Sequence, residues 1–346
     1  MTVPVILVSS QVKPEEDYYR EVKNDISPRV DYFEIAKLMG AEIRGYKNSY
    51  WSRPVRSLEN RMKIDIFEAF STARRSSDFD LFLSASEKSA IPISMLLAAL
   101  NKEVPHLLIG HHLSSIAKTK LYRYWNFPEH IHHVICVSKP QAEFALSKLK
   151  FEHSRVSFVF DKVDQNFFKP RSTSEEDFIL SVGQEQRDYQ TLISAVAGTG
   201  IRVVVVASSP WSRFPVDITE KTNIRLIKNL SYSELRNLYD KARIVVIPLF
   251  ENNYGAGLNA SLEAMAMAKP LIITKTEGVS DYLAHGETGF YVSSGNVAEL
   301  KDGLCTLWEN PGTRKRIGSN ARQAVQQYMN IDLYVENLVG IIREYR

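Results

Sequence analysis

Short runs of β-branched and aliphatic residues recur along the chain, and segments with apolar residues spaced three to four apart separate them. This alternation predicts parallel β-sheets covered on both faces by helices. In the first half of the chain it predicts strands at residues 5–9, 80–84, 106–109, 134–137 and 156–160. In the second half it predicts strands at residues 178–182, 202–207, 224–227, 244–248, 271–274 and 290–292. The clearest helical patterns cover residues 64–73, 140–148, 189–196 and 233–241.

The number of predicted strands is larger than one ordinary doubly wound sheet contains, and a chain of 346 residues favours two domains. The polar segment 169–177 (KPRSTSEED) is the best candidate for a linker. We therefore predict an α/β protein with two Rossmann-like domains, residues 1–168 and 169–325, that face each other across a cleft. In such sheets ligands bind at the carboxyl ends of the strands, so the cleft is the expected site.

Composition excludes several classes of protein. Hydrophobic residues make up 44% and charged residues 24%, as in globular proteins. We expect no membrane span, because the apolar runs are too short, and no signal peptide. A net charge of +3 is too small to indicate nucleic acid. Cys136 and Cys305 are expected to be buried, reduced thiols, which favours a cytoplasmic protein. No G-x-G-x-x-G follows a strand, which disfavours a redox dinucleotide cofactor.

The segment 251–270 (ENNYGAGLNASLEAMAMAKP) joins a buried strand to a helix through a glycine turn. Gly255 and Gly257 permit a close backbone approach, and Asn259 or Ser261 is predicted to cap a helix that ends near Ala268. A helix N-terminus offers free N–H groups and a positive dipole end, which together suit an anion such as a diphosphate.

Glu263 lies about one turn inside this predicted helix, among Leu, Ala and Met residues. An ionised carboxylate is costly there unless it accepts hydrogen bonds. Ribose hydroxyls would supply donors. The alternative is that Glu263 pairs with a donor of the protein itself or faces solvent.

The sequence GAGLNASLEAMAMAKPLI resembles the donor-site segment of GT-B glycosyltransferases, in particular retaining family four, where the motif reads L-E-A-M-A-x-G-x-P-V-I. Further segments resemble the family in the same order: HVICVSKPQAEFAL, DKVDQNFFKP, ILSVGQEQRDYQTLISAV, LSYSELRNLYDKARIVVIPLFE and TEGVSDYLAHGETGFYV. The resemblance covers residues 130–325, and the first 130 residues only by architecture. It implies a retaining, nucleotide-sugar-dependent hexosyltransferase with a UDP-sugar donor and an unidentified acceptor.

The resemblance assigns the nucleotide ribose to Glu263. It also implies a second acid eight residues earlier, which would contact the donor sugar, but Gly255 occupies that position. Glu251, Asn253 or the backbone amides of residues 256–258 are the alternatives for this contact, and we predict Glu251 as catalytic. The remaining predicted donor-binding residues are Tyr254, Gly255, Ala256, Gly257, Leu258, Asn229 and Leu230.

The resemblance also implies two cationic side chains near the diphosphate. Gln184 stands at the first of these positions, and Arg187 is the nearest residue to the second. Arg187 can bind phosphate oxygens with two parallel hydrogen bonds, so we predict a phosphate role for it. The alternative is that it only begins a charged helix.

In the first domain the resemblance points to His111 as a catalytic residue after a strand, with His112 as the alternative. Ser9 and Ser10 stand where the family has a glycine loop, and their hydroxyls could bind a phosphate or the acceptor. We expect no metal and no cofactor, because the His pair lacks further ligands and Asp78-Phe79-Asp80 is expected in a turn.

Two predictions concern the surroundings of the domains. The segment AKTKLYRYWNFP (117–128) mixes basic and aromatic residues, as membrane interfaces do, but the same residues could cover an active-site flap or pack in the core. Residues 326–346 are predicted to end in a helix that, as in GT-B proteins, crosses back to the first domain. A helix packed on its own domain is the alternative.

Two other functions remain open at this stage. One is a non-catalytic GT-B module that senses a nucleotide sugar or supports a partner enzyme, because the sequence departs from the family at Gly255 and Gln184. The other is a sugar-nucleotide epimerase, which would need acid and base residues that the sequence does not offer. No nucleophile or paired-carboxylate motif favours covalent catalysis.

Overall fold

The computed structural model describes residues 2–46, 59, 64–171, 174–207 and 223–346. The chain divides into two compact units. The first unit comprises Met1–Arg20, Val30–Phe160 and Asp332–Arg346, and the second comprises Glu21–Arg29 and Asp161–Ile331. Each unit contains one six-stranded sheet, and the predicted α/β fold with two Rossmann-like domains is confirmed.

The sheet of the first unit is parallel throughout, in the order β2-β1-β3-β4-β5-β6. Its strands are β1 Val3–Gln11, β2 Glu42–Tyr46, β3 Phe79–Ser84, β4 His106–Gly110, β5 His133–Cys136 and β6 Val156–Phe158. The helices before β6 are α1 Glu15–Lys23, α2 Asp31–Met39, α3 Ile66–Ala73, α4 Glu87–Ala99, α5 Ile116–Trp125 and α6 Lys139–Ser147.

The sheet of the second unit is also parallel, in the order β12-β11-β10-β7-β8-β9. Its strands are β7 Glu176–Val182, β8 Arg202–Val206, β9 Ile224–Ile227, β10 Ala242–Ile247, β11 Leu271–Thr274 and β12 Phe290–Val292. The remaining helices are α7 Tyr189–Val196, α8 Tyr232–Lys241, α9 Leu258–Ala266, α10 Val297–Glu309, α11 Pro311–Tyr328 and α12 Ile331–Glu344. All six strands predicted for this half are present.

Strand β2 was not predicted from the sequence. Its residues EIRGY alternate polar and apolar character over only five positions, and among the described strands β2 pairs with β1 alone. Arg44 in this strand is buried because its Nε donates to Glu68 at 2.8 Å. The burial of Arg44 is thus compensated by an ion pair with α3, which the sequence of the strand does not reveal.

Strand β10 is central in the second sheet, with β7 on one side and β11 on the other. Its sequence ARIVVI is almost continuously apolar because helices cover both faces of the sheet. Ile244 and Val246 pack in one core with Leu304 and Ile317, which come from α10 and α11. This packing fixes the carboxyl end of β10, from which the segment 248–257 leads into α9.

The segment Glu21–Arg29 belongs to the second unit although it is near the start of the chain. Buried Arg236 donates to both carboxylate oxygens of Asp25, at 2.7 and 2.9 Å. The backbone N–H of Arg29 donates to Asp164 at 2.8 Å. Polar contacts with residues far along the chain hold this segment in the second unit. A single domain boundary in the sequence therefore cannot assign it correctly.

The prediction that both thiols are buried is wrong for one of them, and in the segment 117–128 the structure favours the core alternative for two aromatic residues. Cys136 is buried as predicted, but Cys305 is exposed on α10. In the segment 117–128, Tyr122 and Phe127 stack with ring centroids 4.6 Å apart and are only 1% exposed each, so these two aromatics belong to the core and not to an interface. Tyr124 is exposed. Among the helices in the described ranges, none combines the length and apolar character that a membrane crossing requires.

Ala268 is expected to be a site of backbone strain. It follows α9 with φ +54°, in the left-handed region that costs a non-glycine residue about 1–2 kcal/mol. Glycine relieves this strain but adds about 0.5–1 kcal/mol of entropy cost, because its unfolded chain is freer. We expect Ala268→Gly to raise the thermal midpoint by about 1–3 °C. Calorimetry of both proteins checks this, and a lower midpoint would contradict it.

Candidate functional site

The turn after β7 lies alongside the segment that follows β10. The N–H of Asp188 donates to the carbonyl of Pro248 at 3.0 Å, and the N–H of Phe250 donates to Gln186 at 2.9 Å. Between these bonds, Arg187 and Leu249 form an isolated antiparallel bridge. Because β7 and β10 are parallel neighbours, both segments leave the same edge of the sheet.

Helix α9 begins at this edge with a glycine. Gly257 is the N-cap residue with φ +85°, and a Cβ there would lie 2.9 Å from Cγ2 of Ile247. The predicted caps are therefore wrong: Asn259 lies inside the first turn, and the Ser261 hydroxyl donates back to the Gly257 carbonyl at 2.9 Å. Glycine is needed at position 257 for close packing against β10.

The first turn of α9 has unused donors. Within the described residues, the N–H groups of Gly257, Asn259 and Ala260 have no acceptor, whereas the N–H of Leu258 donates to the Gly255 carbonyl at 3.1 Å. Unpaired N–H groups and the positive end of the helix dipole together favour an anion.

Glu263 lies in the second turn of α9 and keeps partial access to solvent. Its Oε2 accepts the Tyr239 hydroxyl at 2.9 Å, while its Oε1 has no hydrogen-bond partner among the described residues. Burial raises the pKa of Glu263 to about 7, and the Tyr239 bond opposes that rise. Burial raises the pKa of Tyr232 as well, and the nearby Glu263 charge adds to it. One carboxylate oxygen is thus held by the protein, and the other can accept a ligand hydroxyl.

Arg187 is buried beside Gly183. Its Nε donates to the carbonyl of Val182 at 2.9 Å and its Nη1 to the carbonyl of Glu185 at 2.8 Å. Its Nη2 has no acceptor within the described part of the chain. A Cβ at Gly183 would lie 2.9 Å from the Arg187 Cζ, so only glycine leaves room for the guanidinium. Asp188 is the N-cap of α7, so Arg187 lies before the helix. The alternative that Arg187 only begins a charged helix therefore does not describe it.

Tyr254 connects this turn to the segment after β10. Its hydroxyl donates to Glu185 Oε1 at 2.7 Å. Glu251 is exposed, and its carboxylate has no partner among the described residues. Asn253 is half-buried and Ala256 is buried. A Cβ at Gly255 would meet Cδ2 of Leu258 at an ordinary 3.4 Å, so the backbone would accept a side chain there.

Gly278 is a residue that the sequence reasoning did not single out. A Cβ at this position would overlap the Tyr254 carbonyl and lie 2.6 Å from the Gly255 nitrogen. The turn containing Gly278 therefore supports the segment 254–257 directly. The only sequence signal was its place within TEGVSD, which does not reveal such a contact.

Substituting Gly278 by alanine is expected to displace the Tyr254–Gly255 peptide, because the new methyl group would meet backbone atoms that cannot move aside. We expect a loss of about 2–4 kcal/mol in stability, as for overpacked sites, and weaker ligand binding at α9. Gly303→Ala is the matched control, since its Cβ would lie 3.4 Å from Cδ1 of Ile272 within α10. Thermal unfolding of both variants checks the prediction, and equal midpoints would refute it.

Asn229 and Leu230 follow β9, at the carboxyl edge of the same sheet. Asn229 has φ +57° and is exposed, and Leu230 is half-buried. Ser231 then starts α8 with a capping box that it forms with Glu234. The turn thus presents backbone groups at the edge that also carries Arg187.

His111 lies in the first unit, immediately after β4. The N–H groups of His111 and His112 both donate to Glu87 Oε1, at 2.9 and 2.6 Å, and Lys118 Nζ lies 3.3 Å from Oε2. Burial alone would raise the pKa of Glu87, but Lys118, His111 and these N–H groups hold it below its usual value. The His111 ring is partly exposed and has no hydrogen bond to any described residue.

Ser9 and Ser10 lie inside β1, so the predicted loop is absent at these positions. The Ser9 hydroxyl donates to buried Asp65 at 2.5 Å and lies 2.7 Å from the Ser86 hydroxyl. Ser10 is exposed. Asp65 was not singled out from the sequence. Because the Ser9 hydroxyl donates its proton to Asp65, it is not available to donate to a ligand.

The structure brings Arg187, Tyr254, Gly257 and Glu263 together in the second unit, whereas His111, Ser9 and Ser10 belong to the first. The residues of the D-x-D sequence are paired with arginines: Asp78 with Arg75 at 2.9 Å and Asp80 with Arg346 at 3.1 Å. Over the described ranges, His, Cys, Asp and Glu side chains form no group of three that could hold a metal.

Comparison with known proteins identifies this arrangement. Residues 162–324 match the family model described as "Glycosyl transferases group 1". The match covers most of the second unit, including Arg187, Gly257 and Glu263. The resemblance to GT-B glycosyltransferases predicted from the sequence motifs is thereby confirmed.

Solved structures extend the likeness to the whole chain. HepE from Anabaena in complex with UDP and glucose matches with a TM-score of 0.72 at 14% identity, over 99% of this chain and 100% of that chain. Sucrose-phosphate synthase from Thermosynechococcus elongatus matches with a TM-score of 0.73 at 17% identity, over 99% and 98%. At these identities the matches establish the GT-B fold alone.

A curated relative gives a shorter match. The capsular polysaccharide biosynthesis glycosyltransferase CapM from Staphylococcus aureus is 30% identical over 128 residues, which are 37% of this chain and 32% of that relative. The chain therefore spans about a third of the length of this relative.

Proposed function

We propose that the protein is a glycosyltransferase that moves a hexosyl group from a nucleotide sugar to an acceptor, with retention of configuration. The observation that carries the proposal is the cluster at the carboxyl edge of the second sheet. Among the described residues, the first N–H groups of α9, Nη2 of Arg187 and Oε1 of Glu263 have no hydrogen-bond partner, and the segments that carry them meet at this edge. Donors for an anion and an acceptor for hydroxyls match a nucleoside diphosphate.

Each group has a role in this proposal. The α9 N-terminus and Arg187 bind the diphosphate and stabilise the negative charge that develops on it as the bond to the sugar breaks. Glu263 accepts the ribose hydroxyls, while the turn at Asn229 and Leu230 faces the base. The acceptor oxygen bonds to the anomeric carbon on the face that the diphosphate leaves, and the departing phosphate takes the acceptor proton. Catalysis thus comes from positioning and electrostatics.

A UDP-sugar is the proposed donor, because the HepE structures that match this chain hold UDP, UDP with glucose, or UDP-glucose. His111 is kept as a proposed catalytic residue of the first unit, since its backbone is fixed by Glu87 and its ring is partly exposed. Ser10 remains a candidate acceptor contact. We place the reaction in the cytoplasm.

We propose that transfer needs no metal ion, since Arg187 and the helix N-terminus neutralise the diphosphate. Activity is expected to change less than about twofold when EDTA replaces added Mg²⁺, because a metal that clamps the leaving group contributes several kcal/mol. The measurement is the initial rate of donor consumption in each buffer. A loss that added Mg²⁺ restores would show that a metal participates.

The test of the proposed function is a thermal-shift panel of UDP-, GDP- and ADP-sugars, followed by hydrolysis and transfer assays with the donor that stabilises most. Binding at a hundred times the dissociation constant stabilises by about 2.7 kcal/mol. We expect a shift with UDP-sugars and slow hydrolysis in the absence of an acceptor. No shift with any nucleotide sugar would contradict the proposal.

A non-catalytic module that senses a nucleotide sugar is the second candidate. It is favoured by Gln184, whose amide donates to the Ala207 carbonyl at 2.9 Å and offers no positive charge at the first cationic position. Such a module would show the same thermal shift without any turnover of the donor.

A further inference from the structure

The site contains an acid that the sequence motifs do not indicate. Glu185 lies in the turn between β7 and α7, two residues before Arg187, and its side chain is exposed. Its Oε1 accepts the Tyr254 hydroxyl at 2.7 Å. Its Oε2 has no hydrogen-bond partner in the ranges that the structure describes. A carboxylate with one oxygen anchored and the other open can accept a ligand hydroxyl.

The backbone around Glu185 is also fixed. Arg187 Nη1 donates to the Glu185 carbonyl at 2.8 Å, and the next residue, Gln186, accepts the N–H of Phe250 at 2.9 Å. Glu251, the acid predicted from the sequence, has an exposed side chain without a described partner. A fixed carboxylate loses less conformational entropy when it binds a ligand, so Glu185 is the better placed of the two.

Charge decides which part of a nucleotide sugar Glu185 can face. A carboxylate only accepts hydrogen bonds, and it repels the oxygens of a diphosphate. Sugar hydroxyls, in contrast, donate. The hydroxyl that holds Glu185 belongs to Tyr254, the residue before Gly255, where the backbone would accept a side chain but none is present.

We propose that Glu185 is the carboxylate that binds hydroxyls of the donor sugar, in place of an acid at position 255, and that Tyr254 is its positioning residue. This inference rests on the proposed function and adds the group that recognises the sugar. It assigns the phosphates to Arg187 and α9, the ribose to Glu263, and the transferred sugar to Glu185.

The central experiment compares Glu185→Gln with Glu251→Gln, which makes the same chemical change four residues before Gly255. Hydrogen bonds to a charged group are worth about 1.5–3 kcal/mol, so Glu185→Gln should lower kcat/KM for the nucleotide sugar about 10–100-fold. The Kd for the free nucleoside diphosphate should stay within about twofold, because the sugar is absent. Glu309→Gln, which removes an exposed acid at the end of α10, is the control and should leave both quantities within about twofold. A loss of kcat/KM in Glu251→Gln alone would assign the sugar contact to Glu251 instead.

Deoxy analogues of the donor identify the contact itself. In the wild type, removal of the hydroxyl that Glu185 binds should reduce kcat/KM about 10-fold or more, and in Glu185→Gln the same analogue should cost little further, because coupled partners are not additive. Tyr254→Phe should give a smaller loss of the same kind, with unchanged binding of the nucleoside diphosphate. Equal thermal midpoints would show that both variants remain folded.

The outcomes separate the inference from the proposed function. If the wild type binds nucleotide and turns over the donor, but Glu185→Gln behaves like the wild type or only Glu251→Gln loses activity, the assignment of Glu185 is wrong. Full additivity between Glu185→Gln and every deoxy analogue would overturn it as well. If the wild type binds no nucleotide at all, it is the proposed function that fails.

Discussion

Replacing Glu263 by glutamine is expected to weaken nucleotide binding about 100-fold and, at pH 8, to stabilise the unliganded protein. The affinity falls because a neutral amide replaces the ionised acceptor of two ribose hydroxyls. Stability rises because burial raises the pKa of Glu263 to about 7, so ionising this side chain in the folded protein costs free energy. The gain is at most about 3 kcal/mol. Glutamine keeps an oxygen for the Tyr239 hydroxyl.

The sign of the pH dependence follows from the raised pKa. The folded protein retains the Glu263 proton between the usual pKa of a glutamate and about 7, so this group lowers stability as pH rises through that window. Nucleotide affinity changes in the opposite direction, because only the ionised carboxylate accepts the hydroxyls. It should fall by up to about tenfold per unit as pH drops below 7.

Calorimetry at pH 5 and pH 8, together with nucleotide titrations at the same pH values, measures both effects. Glu309→Gln, which removes an exposed acid at the end of α10, is the control and should change neither quantity. If Glu263→Gln binds the nucleotide with normal affinity, the prediction that Glu263 contacts the ribose is wrong.

Replacing Arg187 by alanine is expected to reduce the rate of sugar transfer about 100–1,000-fold, as the loss of a donor to developing charge does in other enzymes. The guanidinium is buried, and its Nη2 is the donor that remains for the diphosphate. The variant also loses the donors for the carbonyls of Val182 and Glu185. Each carbonyl left unpaired should lower the free energy of unfolding by about 1–3 kcal/mol. We therefore expect the thermal midpoint to fall as well.

A rate loss that only reflects partial unfolding must be separated from a chemical role. Arg187→Lys keeps a positive charge without the planar fork and should recover part of the transfer rate. Arg202→Ala removes an exposed arginine of the same unit and should leave kcat and nucleotide affinity unchanged. If Arg187→Ala retains wild-type kcat at a temperature where it is folded, the phosphate role is wrong.

Most of the architecture could be predicted from the sequence. The strands of the second unit are continuous apolar runs, because helices cover both faces of the sheet, and this pattern is local. Strand β2 could not be found in this way, since the charge of buried Arg44 is paired with Glu68 on α3 and with Glu42. The inclusion of Glu21–Arg29 in the second unit could not be predicted either. It depends on an ion pair between Asp25 and Arg236, which are far apart in the sequence.

The candidate site divides in the same manner. The strand, glycine turn and helix of residues 242–266 follow from local sequence, and the motif resemblance singled out Glu263. The N-cap at Gly257 was mispredicted, because the need for glycine there comes from the side chain of Ile247. Gly278 was overlooked, since its requirement comes from the backbone of Tyr254. Ser9 was predicted to offer its hydroxyl to a phosphate or the acceptor, but β1 continues to Gln11 and this hydroxyl donates to Asp65.

The sequence by itself determined the class of fold, the order of the elements and the segment that carries the donor-site motif, because periodicity and short motifs are properties of neighbouring residues. Only the tertiary structure decided which side chains meet at the carboxyl edge of the second sheet. Arg187 and Glu185 come from the turn after β7, Tyr254 from the segment after β10, and Glu263 from α9. These contacts depend on the parallel pairing of β7 with β10, which no local pattern encodes.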